Sequence, residues 1–384
     1  MKRYELKGIH KNKPLLIDVS DYDEIYYNPL ELSNADATIK EPITTDRMIE
    51  KMIDHNWIFN NVSEQEDCMM LLREVNYYTF SYYGKNYFKK DYLQIKEIYY
   101  FDLFLRNWVH DITSIIEVFL RTITVDALCL KYEPSTGFRK AQFFLDDRLY
   151  YTDTGKHKKT PEREKKVSRL LFDFADAIDR DQSQAHVKHD LEKYGGVTAW
   201  VLFDRLTFGQ LSQFLSYLTK PYKDIVSDEL NKYNIAEKIP SKLIPSWANS
   251  LRYLRNLASH TSKIYGETMN TLPLQHDADD VYINSLDKNM QNKLIIELLV
   301  CRRIIACMSK EKHLLWNEKI DILDKKIKDC PSVSIEKLGF SADWKTYLLI
   351  PLETADIEEA SSRKFFWFRK FFWFIKFFWF RRSF

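Results

Sequence analysis

"YFDLFLRNWVHDITSIIEVFLRTITVDALCL", residues 100–130, decides how this chain is read. Its apolar residues return every three or four positions over many turns, the spacing of a helix face. No Gly or Pro interrupts the stretch, so nothing in it breaks helical backbone. The expectation is one long, largely buried helix with other helices packed around it. A chain organised on such an element is mainly α.

Composition points the same way. Only 9 Gly and 11 Pro occur in 384 residues, which leaves few tight turns between long elements. Apolar residues make up 45% and charged residues 29%, enough to build a sizeable core. The net charge of +2 gives no global basic field for nucleic acid, so any such surface must be a local patch. Cys68, Cys129, Cys301, Cys307 and Cys330 form no CxxC pair. An odd, scattered set fits a reducing compartment and excludes a zinc ribbon or a disulfide framework. "MKRYELKGIHKNKPLLIDVS" lacks the apolar stretch of a signal peptide. No segment offers the roughly 18 uninterrupted apolar residues of a spanning helix. The expected location is the cytoplasm, and no cofactor is expected.

Outward from the long helix, the chain divides into five parts. Residues 1–44 are an N-terminal extension of mixed character. Residues 45–132 are helical. "ITTDRMIEKMIDHNWIF" sets Met48, Met52 and Ile53 on one side, with Thr45 as N-cap. "EDCMMLLREVNYYTFSYYGKNYF" is a helix running into an aromatic-rich turn near Gly84. Residues 133–168 alternate like a hairpin and then turn polar and basic, which predicts a small irregular or hairpin insertion, exposed at the surface. Residues 169–350 are helical again, with helices resuming near Val167. Gly195 closes a helix at "KYGG". "AWVLFDRLTFGQLSQFLSYL" and "IPSWANSLRYLRNLASHTSKI" read as two helices, with Pro245 near the start of the second. "NKLIIELLVCRRIIACM" is a further apolar helix. Residues 351–384 carry FFWF three times at a period of six, each copy preceded by a lysine. That tail fits a duplicated coding unit, an interfacial membrane anchor or an aggregation-prone strand.

The chemistry concentrates in "RYLRNLASHTSKIYG", residues 252–266. On a helix over residues 247–264, Trp247, Leu251, Leu254 and Ala258 fall within about 60° of one another, an apolar stripe for the core. Arg252, Arg255, Asn256, Ser259, His260 and Lys263 take the remaining face. Arg keeps its charge at any working pH and grips phosphate through a planar fork. An imidazole gives and takes protons near neutrality. Asn256 precedes His260 by one turn and is placed to steer it. Arg255, Asn256 and His260 are therefore the candidate catalytic set for a phosphodiester, against the plainer reading of a solvated polar face. His186 and His189 lack a third ligand, so no metal site is assigned. The basic residues 156–166 fit a solvated loop better than a phosphate track. The tyrosines at 77, 78, 82 and 83 fit core packing better than base stacking.

Several segments in one order resemble the Abi-like proteins of bacteria, the abortive-infection group that includes AbiD and AbiF. They are "EPITTDRMIEKM", "LLREVNYYTFSYY", "IYYFDLFLRNWVHDITSIIEVFLRT", "AWVLFDRLTFGQLSQFLSYL", "WANSLRYLRNLASHTSKIYG" and "LGFSADWK", spread over residues 40–350. The resemblance implies a HEPN-like helical bundle with added N-terminal helices. The hallmark of that fold is Arg, a polar residue, then His, which Arg255, Asn256 and His260 match. It implies a metal-independent endoribonuclease of phage defence, acting on RNA as a homodimer, with a structured small RNA as a further partner. A polar group facing the motif Arg is common in such folds, which gives Glu117 the part of positioning Arg255; its alternative is a local pair with Arg121. Ser259 and Lys263 are supporting candidates. Family members often read RN-x-CAHHxRLxN. Here Ala258 stands for Cys, Ser259 for Ala, Thr261 for a second His, Lys263 for Arg and Gly266 for Asn. Two other classes fit the sequence: an RNA-binding scaffold without cleavage, and a membrane-active effector using the aromatic tail.

Overall fold

The computed structural model describes residues 4–10, 13–18, 42–133 and 139–352. The FFWF tail lies outside the described residues, as does most of the N-terminal extension. The chain forms two compact units, Met1–Tyr77 and Tyr78–Phe384.

In the first unit, β1 (Tyr4–His10) pairs antiparallel with β2 (Lys13–Asp18), Tyr4 opposite Asp18, with a register irregularity between Leu6 and Gly8. The sequence reading assigned no element there. Helix α1 (Thr45–Asp54) starts one residue earlier than expected, with Thr44 as its N-cap. Ile49 and Met52 are its buried residues, while Ile53 is exposed. In α2 (Val62–Glu74), the Asn61 side chain accepts the Glu64 N–H at 2.9 Å. Its Cys68 packs on Met52.

The second unit opens with α3 (Tyr77–Tyr83) and is organised around α4 (Tyr92–Lys131), a 40-residue helix. The long-helix expectation holds and extends further toward the N-terminus, where the Asp91 side chain accepts the Gln94 N–H. Helix α4 buries apolar residues along its whole length, from Ile95 and Ile98 through Leu105, Ile112 and Leu120 to Leu128.

The insertion takes the irregular of the two expected forms, but it is not exposed throughout. Residues 140–157 form three 3₁₀ turns rather than a hairpin, and Phe143, Phe144, Leu149 and Tyr150 are buried. The aromatic alternation marks inward-facing rings. Phe143 and Phe144 pack against Phe174, Phe203 and Phe214, so side-chain burial replaces strand pairing. The basic run ends inside a helix, because α5 (Pro161–Asp181) begins at once under a Thr160 cap.

Next come α6 (Ala185–Tyr194), closed by Gly195 at φ +70 as expected, then α7 (Ala199–Arg205) and α8 (Phe208–Tyr217). The sequence reading had α7 and α8 as one helix. Thr207 and Gln210 form a capping box that starts α8 afresh. Helix α9 (Lys220–Leu230) leads to α10 (Ile244–Ser259), with Pro245 in its first turn. The chain then forms α11 (Asp280–Ser285), α12 (Leu294–Ile305), α13 (Lys310–Lys328) and α14 (Trp344–Leu348). Helices α7, α9, α10, α12 and α13 all contact α4. Among the described residues, no helix is long and apolar enough to cross a membrane.

Candidate functional site

Helix α10 is wedged between α4 and α8. Trp247, Leu251 and Leu254 are buried as the stripe requires, and Ala258 is half-buried. The Trp247 indole donates to the Leu274 carbonyl at 2.7 Å. These anchors fix the rotation of the helix and turn Arg255, Asn256 and Ser259 away from the core.

The helix ends sooner than residues 247–264 had suggested. It stops at Ser259, and His260 is the C-cap at φ −95, ψ 24. Thr261 takes φ +55, and the Ser262 N–H reaches back to the Leu257 carbonyl at 3.1 Å, the closing bond of a Schellman-type end. A β-branched residue in the left-handed region costs on the order of 1–2 kcal/mol. What holds the chain in this turn is Asp102 on α4. Its Oδ1 accepts the main-chain N–H groups of Ile264 at 3.0 Å and Tyr265 at 2.6 Å. Its Oδ2 accepts the Tyr83 hydroxyl at 2.5 Å, and Arg106 Nε lies 3.6 Å away. Those N–H groups are therefore unavailable for further helix. Burial pushes the Asp102 carboxyl up, and the hydrogen bonds from Tyr83 and the backbone draw it back.

Asp102→Ala should strand two buried N–H groups, a hydroxyl and a guanidinium. The expected loss is about 3 kcal/mol, read from the urea midpoint. An unchanged midpoint would show that the turn is held some other way.

Arg255 and Asn256 lie in the last turns of α10, and His260 stands at its C-cap. Glu117 of α4 is buried, and its two oxygens serve two arginines. Oε1 accepts from Arg121 Nη2 at 2.8 Å, and Oε2 lies 3.7 Å from Arg255 Nε. Arg121 Nη2 also donates to the Leu206 carbonyl at 2.9 Å, which ties the pair to the end of α7. Arg255 Nε is buried without a hydrogen-bond partner among the described residues, yet 35% of the side chain remains exposed. Its inner edge thus faces a carboxylate and its outer edge faces solvent. The two sequence readings of Glu117, a local pair with Arg121 and a support for Arg255, both describe its contacts.

His260 is exposed, and its imidazole makes no hydrogen bond among the described residues. Only its main chain is engaged, the N–H donating to the Asn256 carbonyl at 2.9 Å. The Asn256 amide does not steer the ring; its Oδ1 accepts instead from Arg255 Nη1 at 3.5 Å. An exposed imidazole close in sequence to a carboxylate-backed guanidinium is an arrangement that can move protons beside a bound anion.

Residues 70–266 match the Abi-like protein family. The chain belongs to that family. No curated protein and no solved structure matches the chain. The matched stretch contains Asp102, Glu117, Arg255, Asn256 and His260 and ends at Gly266, inside the turn that Asp102 holds. Membership suggests a part in abortive infection, the phage-defence response for which the family is named.

The remaining sequence candidates fall elsewhere in this Abi-like protein. Ser259 is exposed beside His260. Lys263 has left the helix; it pairs with Glu267 at 3.4 Å and lies 5.3 Å from the ring centres of both Tyr82 and Tyr83. Core packing holds for Tyr83, but Tyr78 and Tyr82 are exposed. His186 Nε2 sits 3.9 Å from Asp204 on the surface. Sequence reasoning missed Asp102, although a carboxylate on the buried side of an apolar helix was a visible signal.

Proposed function

We propose that this Abi-like protein is an abortive-infection effector that cleaves RNA without a metal ion, with Arg255 and His260 at the reacting phosphate. The reading rests most on the setting of Arg255. Glu117 supports its inner edge from α4, while its outer edge stays open for the fork-like contact that guanidinium makes with phosphate. His260, five residues on, is free to exchange protons.

In the proposed reaction His260 takes the proton of a ribose 2′-hydroxyl. The 2′-oxygen attacks the adjacent phosphorus, and Arg255 offsets the charge that builds on the phosphoryl oxygens. The bond from phosphorus to the 5′-oxygen breaks, leaving a 2′,3′-cyclic phosphate and a 5′-oxygen that must gain a proton. One chain supplies one motif imidazole, so a homodimer with two motifs provides both base and acid. An apolar groove of about 580 Å³ lined by Ile115, Val118, Phe119 and Met308 runs along the helix that carries Glu117 and offers a surface for the second copy.

Arg255→Lys tests the reading, because it keeps the charge and removes the fork. Cleavage should fall about tenfold or more and should continue in EDTA for the parent protein. Light scattering should return twice the 46.0 kDa chain mass. Full activity in the lysine variant, or a monomeric parent that cleaves at full rate, would contradict the scheme.

A further inference from the structure

Beside the motif face of α10 lies a cleft of about 480 Å³ to which no role has yet been given. One wall is α3. Phe80 and Tyr83 of that helix are buried, but Tyr78 is 71% exposed and Tyr82 43% exposed. Tyr253 and Leu257 of α10 contribute to the lining, and Asn270 stands at its polar edge. At 100° per residue, Arg255, Asn256, His260, Tyr253 and Leu257 follow one another around α10 in that order. The cleft therefore adjoins the His260 side of the face. Thr261, the residue after His260, also lines it.

The walls are held before any ligand arrives. The Tyr82 hydroxyl donates to Glu267 at 3.4 Å, Lys263 pairs with the same carboxylate, and Asn270 Nδ2 donates to the Tyr253 hydroxyl at 3.2 Å. Side chains set in this way lose little freedom on binding. Exposed ring faces with an amide and hydroxyls at their margin are what an unpaired nucleobase needs: a surface to stack on and partners for its edge. We propose that this cleft seats one unpaired base of the RNA next to the phosphate held at Arg255 and His260, and so selects where the strand is cut. The proposal rests on the ribonuclease reading above.

The test uses the full chain carrying His260→Ala, so that RNA stays intact, and fluorescein-labelled single-stranded octamers of A, C and U. Adding Tyr82→Ala should weaken binding of the preferred octamer about tenfold and bring the three affinities together. Tyr82→Phe, which keeps the ring and loses only the hydroxyl that ties it to Glu267, should weaken binding less than Tyr82→Ala does. Tyr78→Ala, at the more exposed position, should weaken binding in the same sense if Tyr82→Ala fails to fold. Folded Tyr82→Ala and Tyr78→Ala proteins that bind all octamers as the parent does would overturn the proposal, as would a parent that binds none. Tyr82-dependent binding by a wild-type chain that cuts nothing would support the cleft and remove the nuclease. Cutting that is indifferent to both tyrosines would remove the cleft alone.

Discussion

His260→Ala is expected to lower RNA cleavage by about 10²–10⁴, the usual worth of a general acid or base, while leaving the unfolding midpoint where it was. The second half follows from the helix end. The imidazole is exposed and bonds to nothing among the described residues, and the His260 N–H that closes α10 is main chain and survives the substitution. No cavity forms and no buried group loses its partner. Arg255→Ala should inactivate as strongly and behave differently in stability. Removing that guanidinium leaves Glu117, a buried carboxylate, with Arg121 as its one close cation among the described residues, so a loss of roughly 1–3 kcal/mol is expected. A solvated polar face with no chemistry predicts wild-type cleavage and toxicity in both variants. A scaffold that holds RNA predicts bound, uncut RNA in the parent and no change in His260→Ala.

The second large effect concerns stability against pH. Glu297 of α12 packs against α10 and is wholly buried, and its oxygens find no partner at bonding geometry among the described residues. The Ser250 hydroxyl beside it is turned to the Trp247 carbonyl at 3.3 Å. Burial pushes the Glu297 carboxyl from its ordinary 4.5 up to about 8, with Ser250 pulling weakly the other way. The folded state therefore keeps a proton that the unfolded chain gives up above its ordinary value. Stability should be highest below about pH 4.5 as far as this group is concerned. It should fall by about 1.4 kcal/mol per pH unit up to about pH 8, roughly 5 kcal/mol in all, and then level off. Glu297→Gln cannot ionise and should flatten that slope, leaving the variant the more stable protein at pH 8. Urea midpoints at pH 5, 6, 7 and 8 read this directly, and parallel curves for the two proteins would contradict it.

Much of this was legible from residue spacing. The long helix announced itself because its apolar residues recur without a Gly or Pro to break them. The stripe of Trp247, Leu251 and Leu254 fixed which side of α10 is buried. The helix end was not legible. Residues 260–264 keep a helical pattern, and what stops them is a carboxylate more than 150 positions earlier, Asp102 binding the Ile264 and Tyr265 N–H groups. Which of its two expected forms the insertion takes, and how far it is buried, were not legible for a related reason. Alternating aromatics look the same whether they pair as strands or turn inward, and the partners that decide it, Phe174, Phe203 and Phe214, lie further along the chain. Of the candidate set, Glu117 and Arg255 meet across two helices. Asn256 sits against Arg255 rather than against His260, and Lys263 is drawn away to Glu267 and the tyrosine rings.

The most direct measurement of the central claim is the chemistry of the ends left on a defined single-stranded RNA by the purified full chain in EDTA, with an all-deoxy strand of the same sequence alongside. The account predicts a 2′,3′-cyclic phosphate and a 5′-hydroxyl from the RNA, no cut in the deoxy strand, and neither product from His260→Ala. Ends bearing 3′-hydroxyl and 5′-phosphate, cutting of the deoxy strand, or activity that disappears in EDTA and returns with Mg²⁺ would contradict it.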